Sequence, residues 1–212
     1  MRQEYSDQHK LDNPGKDPLD LFRLWFAQAK AGGVLEPNAM CISTCATDKP
    51  SARFVLLKEF NDNGFVWFTN YESRKAQDLD ANPNAALTFW WGPLEMQVRI
   101  EGSVHKVSTE ESDAYFGKRP RGSQLGAWAS QQSQEVSSRE AMDRAEQDVA
   151  ERFKDTEVIP RPLHWGGYRL VPRRIEFWKG RHGRMHDRVV FERKVSRENV
   201  IGDWEVPKRL QP

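Results

Sequence analysis

An α+β domain, with an antiparallel β-meander closing towards a barrel and helices at its periphery, is the fold class this 212-residue sequence predicts. Three observations predict it. The apolar period changes from helical to two at Ala39. Five strand-like runs follow, joined mostly by tight turn-forming segments. Helix-capping signals return after Lys106 and are followed by further strand-like runs. With 8 Trp and 11 Phe, the chain has the large apolar side chains that disordered sequences lack.

The first sixteen residues are polar, carry Pro14-Gly15 and read as a mobile N-terminal arm; residues 17–212 read as a single domain. Asp17-Pro18 opens a helix, because Asp caps free N–H groups and Pro is tolerated in the first turn. Leu21, Leu24, Trp25 and Gln28 share one face, Leu19, Phe22, Phe26 and Ala29 an adjoining one, and Gly32-Gly33 ends the helix. Strands are predicted over 40–45, 51–60, 65–70, 85–91 and 95–106, with a short helix over 73–80 between the third and fourth. The segments Thr47-Asp48-Lys49-Pro50, Asn61-Asp62-Asn63-Gly64 and Gly92-Pro93 supply the turns. Ser108-Thr109-Glu110-Glu111 and Ser137-Ser138-Arg139-Glu140 fit the capping box and predict helices ending at Gly117 and near Phe153. Residues 119–123 between them read as a polar loop. Strands return over 167–171, 174–178 and 187–192, with a last piece near Trp204, and complete the barrel because alone they would be a marginal sheet.

Lys and Arg total 32 against 31 Asp and Glu, so no whole-chain field points to nucleic acid or a membrane. Two cysteines are too few for a disulfide framework; Cys41 and Cys45 share a strand face and read as core thiols. No apolar run approaches the ~20 residues of a membrane span, and the start lacks a secretory core. A soluble, cytoplasmic protein is expected. Phosphate-loop, dinucleotide-fingerprint and nucleophile-elbow motifs are missing from the sequence, and the five histidines lack metal-ligand spacing, so no metal is expected.

What stands out is cations inside structured segments. In Arg53-Phe54-Val55-Leu56-Leu57-Lys58 two cations bracket four apolar residues; alone, this reads as an edge strand with snorkelling ends. Arg74-Lys75, however, sit at a helix start, where cations oppose the macrodipole and a phosphate would relieve the conflict. Tyr115, Arg119 and Ser123 offer a guanidinium fork and two hydroxyls, a set suited to a phosphate monoester. Residues 173–198 hold nine Lys or Arg against four acids. Trp178 adds an aromatic face there, and His186 a group titrating near neutrality. A solvated basic hairpin explains that stretch equally well when it is taken alone. A single-stranded nucleic-acid path fits less well, because the cations fall in small clusters broken by acids.

The fragments Ser51-Ala52-Arg53, Lys58, Phe68-Thr69-Asn70, Ser73-Arg74-Lys75, Gln97-Val98-Arg99, Tyr115-Phe116, Arg119-Pro120, Ser123-Gln124, Gln132-Ser133, Trp165-Gly166-Gly167, Glu176-Phe177-Trp178 and Arg184-Met185-His186-Asp187-Arg188 occur in a telling order and spacing. In them, over essentially its whole length, the chain closely resembles the pyridoxine/pyridoxamine 5′-phosphate oxidase family, FMN enzymes that make pyridoxal 5′-phosphate. The resemblance implies a split β-barrel of the FMN-binding type, working as a homodimer with flavin at the subunit interface. It implies FMN binding by Arg53, Phe54, Val55, Leu56, Leu57, Lys58, Phe68, Thr69, Arg74, Lys75 and Gln97, completed by Gln132, Ser133, Trp178 and Arg188 from the other subunit. Lys58, Tyr115, Arg119 and Ser123 would hold the phosphate of pyridoxine or pyridoxamine 5′-phosphate. Arg184, Met185 and His186 would flank its ring, with Arg184 and His186 at the reacting carbon, and Arg2 and Tyr5 would close over it. Hydride transfer to FMN and reoxidation by O2, giving H2O2, are the implied chemistry. Met185 stands where the family often has Leu, and Phe68 where it commonly has Tyr. A flavin reductase on the same barrel and a non-enzymatic flavin or pyridoxal-phosphate carrier are the competing readings.

Overall fold

The structure, a computed structural model, describes residue 5 and residues 11–195 and 201–212. Arg2 lies outside the described residues. Helix α1 (Pro18–Ala31) starts as expected, with the Asp17 side chain accepting from the Leu19 N–H at 2.8 Å. It buries Leu19, Leu21, Phe22, Trp25 and Ala29, whereas Leu24 is 55% exposed. Leu11, in the arm expected over 1–16, is also buried in this core.

Strands β1 (Ala39–Cys45) and β2 (Pro50–Leu56) form one antiparallel hairpin, and β3 (Glu59–Asn61) and β4 (Gly64–Asn70) another. The single strand expected over 51–60 is therefore broken. The Leu57 N–H turns to the Asn38 carbonyl and the Lys58 N–H to the Val66 carbonyl, so the chain changes partner at that point. Helix α2 (Arg74–Ala81) leads into β5 (Asn84–Trp91), and β6 (Met96–Lys106) follows a short 3-10 turn. Cys41 and Cys45 prove half-buried on the outer side of β1, not in the core, because Met40, Ile42 and Thr44 take the inward positions.

Helix α3 (Thr109–Gly117) carries the expected cap, Ser108 accepting from the Glu111 N–H, whereas helix α5 (Arg139–Arg152) is capped one residue later than the Ser137–Glu140 box implies, Ser138 accepting from the Ala141 N–H. Between them, part of the loop expected over 119–123 is instead the start of helix α4 (Arg121–Ala129). Tertiary contacts stabilise it: Arg121 donates to the carbonyls of Phe153 and Thr156, and Gln124 to that of Phe116. Phe116, Ala127, Phe153, Ile159 and Trp165 form a second small core beneath these helices.

The long strand β7 (Trp165–Lys179) merges two expected runs and is followed by β8 (Asp187–Val195), β9 (Ile201–Trp204) and β10 (Lys208–Arg209). The sheet order is β10-β8-β7-β6-β5-β1-β2, antiparallel throughout. Strand β4 joins the first half of β7 and β8 its second half. The curled sheet β2-β1-β5-β6-β7-β4 is a split barrel rather than a plain meander, and the Lys58–Val66 bond links its two ends.

Between the two halves of β7 the register against β6 shifts by one residue at Glu101 and Gly102. Pro172 lacks an N–H for the ladder, and such residues are confined to edges and bulges. Gly102 makes the bulge possible: a Cβ there would lie 2.0 Å from the Val171 carbonyl oxygen. Gly102→Ala is expected to destabilise the protein by at least about 2 kcal/mol, since backbone must shift to admit the methyl group. Urea unfolding of the purified variant measures this, and an unchanged midpoint would show the bulge to be plastic. Among the described residues, no helix is long and apolar enough to cross a membrane.

Candidate active site

Where β2, β4, α2, α3 and α4 converge lies a cleft of about 660 Å3. It is lined by Arg53, Phe54, Val55, Leu56 and Lys58 from β2 and its exit, Phe68 and Thr69 from β4, Lys75 from α2, and Tyr115, Lys118, Arg119, Pro120 and Ser123 from α3 and α4; Gln132 and Trp165 complete the wall. Five of these residues are cationic and none is acidic. Such a lining concentrates positive potential and suits an anion.

Lys75 is 7% exposed, and its ammonium donates to Thr69 Oγ1 at 2.9 Å, Ser73 Oγ at 3.1 Å and Gln132 Oε1 at 2.6 Å. All three partners are neutral, so the charge is buried without compensation. Burial first, and the neighbouring Arg53 charge second, depress its pKa to about 8. The Arg53 guanidinium is fixed from behind, donating to Thr44 Oγ1 at 2.7 Å and Ser51 Oγ at 2.6 Å. Thr44 in turn donates to Asp78 Oδ2 at 2.6 Å, and that carboxylate stands 3.7 Å from Arg53.

At the other wall Phe68 stacks on Tyr115, with centroids 3.8 Å apart and planes 10° off parallel. The Arg119 guanidinium lies 4.5 Å from the Trp165 ring centroid, and its buried Nη1 has no hydrogen-bond partner. Desolvation lowers the pKa of Arg119. An orphaned guanidinium N–H is costly unless a ligand satisfies it. Helix α4 begins at the cleft without a side-chain cap, and so does α2, which leaves first-turn N–H groups for an anion.

The cleft thus gathers Arg53, Phe54, Val55, Leu56, Lys58, Phe68, Thr69, Lys75, Tyr115, Arg119, Ser123 and Gln132. Gln132 reaches it from the same chain, so its expected supply from another subunit is not needed there. Leu57 is buried, 5% exposed, behind this wall; Arg74 is exposed but still acts electrostatically on Arg53; Ser133 follows Gln132 with φ 73°. Lys118 and Trp165 also line the cleft but were not among the candidate residues; adjacency to Arg119 and the Trp165-Gly166-Gly167 fragment were the available signals. Asp78 had no sequence signal.

The other candidate residues form a second group, none of it lining the cleft. Trp90, Gln97, Trp178 and Arg188 are neighbours in one row across β5, β6, β7 and β8. They face outwards, because Phe89, Val98, Phe177 and Val189 are the buried alternates. Arg188 is held by Glu176, 2.8 Å from its Nε, and by the Gln211 carbonyl. The ring of His186 packs 4.7 Å from that of Trp178, and Tyr5 touches both. His186 Nδ1 accepts from the Arg181 N–H at 3.1 Å, which places the proton of the neutral ring on Nε2. Arg184 and Met185 are exposed on the turn just before it.

The strand order and closure define a split β-barrel, a fold shared with a pyridoxamine 5′-phosphate oxidase-related, FMN-binding protein of Nostoc punctiforme, which superposes with a TM-score of 0.68 at 15% identity over 90% of this chain and 97% of that one. Residues 26–152 match the family model for pyridoxamine 5′-phosphate oxidase, and residues 165–212 that for the pyridoxine 5′-phosphate oxidase C-terminal dimerisation region. A pyridoxine/pyridoxamine 5′-phosphate oxidase of Salinibacter ruber is 50% identical over 100% of this chain and 97% of its own, and one of Bordetella avium is 56% identical over 90% of each. Among solved structures, PhzG from Burkholderia lata, in complex with tetrahydrophenazine-1-carboxylic acid, superposes with a TM-score of 0.88 at 28% identity, covering 98% of this chain and 99% of that one. The chain belongs to the pyridoxine/pyridoxamine 5′-phosphate oxidase family, and it is an oxidoreductase of that FMN-dependent class.

Proposed function

We propose that the protein oxidises pyridoxine 5′-phosphate or pyridoxamine 5′-phosphate to pyridoxal 5′-phosphate with FMN as cofactor. The observation that carries this reading is the cleft lining of five cations and no carboxylate, with an uncompensated ammonium on one wall and an orphaned guanidinium N–H on the other. Two separated anion holders suit two phosphates. The residues present fit FMN on these grounds.

In this reading Arg53, Lys75, Thr69 and Gln132 hold the FMN phosphate end, the Arg53 to Lys58 segment and Phe68 line the path of its ring, and Arg74 and Ser133 support the rim. Gln97, Trp178 and Arg188 complete the site from a second copy of the chain. They share the outer sheet face with Phe54, 76% exposed, and Trp90, 50% exposed, an apolar surface suited to burial against another subunit. This homodimer, with flavin at its interface, is in keeping with the match of residues 165–212 to a dimerisation region. Lys58, Tyr115, Arg119 and Ser123 hold the substrate phosphate. Arg184 and His186 flank the reacting carbon beside Met185, and Arg2 and Tyr5 close over the ring.

When bound, FMN supplies a two-electron acceptor for the hydride of the substrate carbon and passes the electrons to O2, giving H2O2. The protein's part is to align the two rings, to exclude water, and to place fixed cations near charge that develops during the reaction.

Anaerobic addition of pyridoxine 5′-phosphate to the FMN-loaded protein is expected to bleach the flavin absorbance. Unchanged colour would identify a carrier instead. Arg119→Ala is expected to raise the Michaelis constant for phosphorylated substrate by an amount equal to about 1.5–3 kcal/mol, the worth of one charged hydrogen-bonded contact. Wild-type substrate affinity in that variant would remove Arg119 from the clamp and favour a generic flavin reductase.

A further inference from the structure

We infer that Trp165 is a positioning residue for substrate, its indole face holding the Arg119 guanidinium so that the fork stays free for a phosphate. The inference rests on the phosphate clamp proposed above. The two cleft arginines are held in contrasting ways. Arg53 is fixed by Thr44 and Ser51, with Asp78 behind, so part of its hydrogen-bonding capacity is already used. Arg119 lies over ring faces, 4.5 Å from the centroid of Trp165 and 5.8 Å from that of Phe116, and its buried Nη1 remains unpartnered. A carboxylate in that place would compete with the phosphate for the same N–H groups, whereas a ring face orients the cation and leaves its edge available.

Trp165 is itself rigidly placed. It is 7% exposed, begins β7 opposite Asn70, and its N–H donates to the Pro162 carbonyl. Its own carbonyl accepts from Arg161 at 2.6 Å, and its ring stacks with Phe68 at 5.5 Å and meets Phe116 edge-on at 5.2 Å. The indole therefore transmits the position of the sheet to Arg119, which sits on the link between α3 and α4.

The test compares Trp165→Met, Trp165→Phe, Arg119→Ala and the Trp165→Met/Arg119→Ala double variant, all as FMN-loaded protein. Retention of stoichiometric FMN confirms folding in each. Trp165→Met is expected to raise the Michaelis constant for pyridoxine 5′-phosphate, and the inhibition constant of inorganic phosphate, by about three- to thirtyfold with kcat nearly unchanged, the range between an exposed and a desolvated cation–π contact. Trp165→Phe keeps a ring and should recover most of the loss. The double variant should be no worse than Arg119→Ala alone, because the indole acts through the guanidinium. If Trp165→Met does not fold, Trp165→Leu, which also lacks a ring, and its double with Arg119→Ala give the same comparison. A loss in kcat with phosphate affinity intact, or additive losses in the double variant, would overturn the inference. If Arg119→Ala itself leaves phosphate affinity unchanged, the clamp fails; if it weakens affinity while Trp165→Met does not, the clamp stands and only the role of Trp165 falls.

Discussion

Replacing Lys75 with Met is expected to weaken FMN binding by about 10- to 150-fold, the equivalent of one charge-assisted contact worth roughly 1.5–3 kcal/mol. The wild-type side chain is a buried ammonium whose three hydrogen-bond partners are neutral. It therefore costs desolvation energy until an anion arrives. Its folded-state pKa is lowered from 10.5 to about 8. An unfolded chain thus holds more protons than the ligand-free fold between those values, so the contribution of Lys75 to stability rises with pH across that window. Below pH 8 the buried charge is a net cost in the ligand-free protein, and the Met variant, relieved of it, should melt no lower than wild type there.

FMN binding has the opposite pH dependence. A phosphate monoester is mainly dianionic well above its second pKa of about 6. As pH rises through about 8, Lys75 in the free protein loses the proton that the complex needs. The dissociation constant should then climb with a slope approaching about tenfold per pH unit, and binding should take up protons from the buffer. Fluorescence titration of FMN between pH 6.5 and 9.5 measures the slope, and Lys75→Met should flatten it. A flat wild-type profile together with full FMN affinity in Lys75→Met would separate this lysine from the flavin phosphate.

The cations of the cleft were legible in the sequence because they broke local rules. Arg74-Lys75 opposed the dipole of α2, and Arg53 and Lys58 interrupted a strand pattern. The partners that hold those cations were not legible, since Asp78 and Thr44 come from a helix and a strand whose juxtaposition only the topology creates. Local chemistry also explains which elements could be read. Helices α1, α3 and α5 announce themselves by side-chain caps. Helix α4 has Pro120 at its N-cap position, where no side-chain cap forms, and contains Gly122 and Gly126, features of a loop, and its stability comes from residues near 116 and 153–156. Strand order was hidden for a similar reason. Hairpin turns predict neighbours, but β1 pairs with β5 and β4 with β7 across intervening elements. The split barrel is thus set by long-range packing about Phe22, Phe65, Phe89 and Phe177, whose sequence pattern shows that they are inside without showing against what.

Arg184→Ala is expected to slow single-turnover flavin reduction by about a hundredfold, the effect of removing one preorganised charge from the reacting centre, while leaving FMN content unchanged. Two features of the turn support a chemical role. Arg184 is exposed, so it adds little to packing, yet its φ is +65°, next to Gly183 at the same angle. A side chain in that region costs on the order of 1 kcal/mol relative to glycine, and a surface arginine with no task would be an odd choice for it. The turn also leads into His186, held by the Arg181 N–H, so the arginine and the histidine lie two residues apart on one short segment. Arg184→Gly separates backbone from charge. It relieves the strained φ and should melt at or above Arg184→Ala, yet it should reduce flavin as slowly. Arg184→Lys should recover part of the rate without the planar fork. Fast reduction in the Gly variant would mean that the turn's shape, and not the guanidinium, serves the reaction.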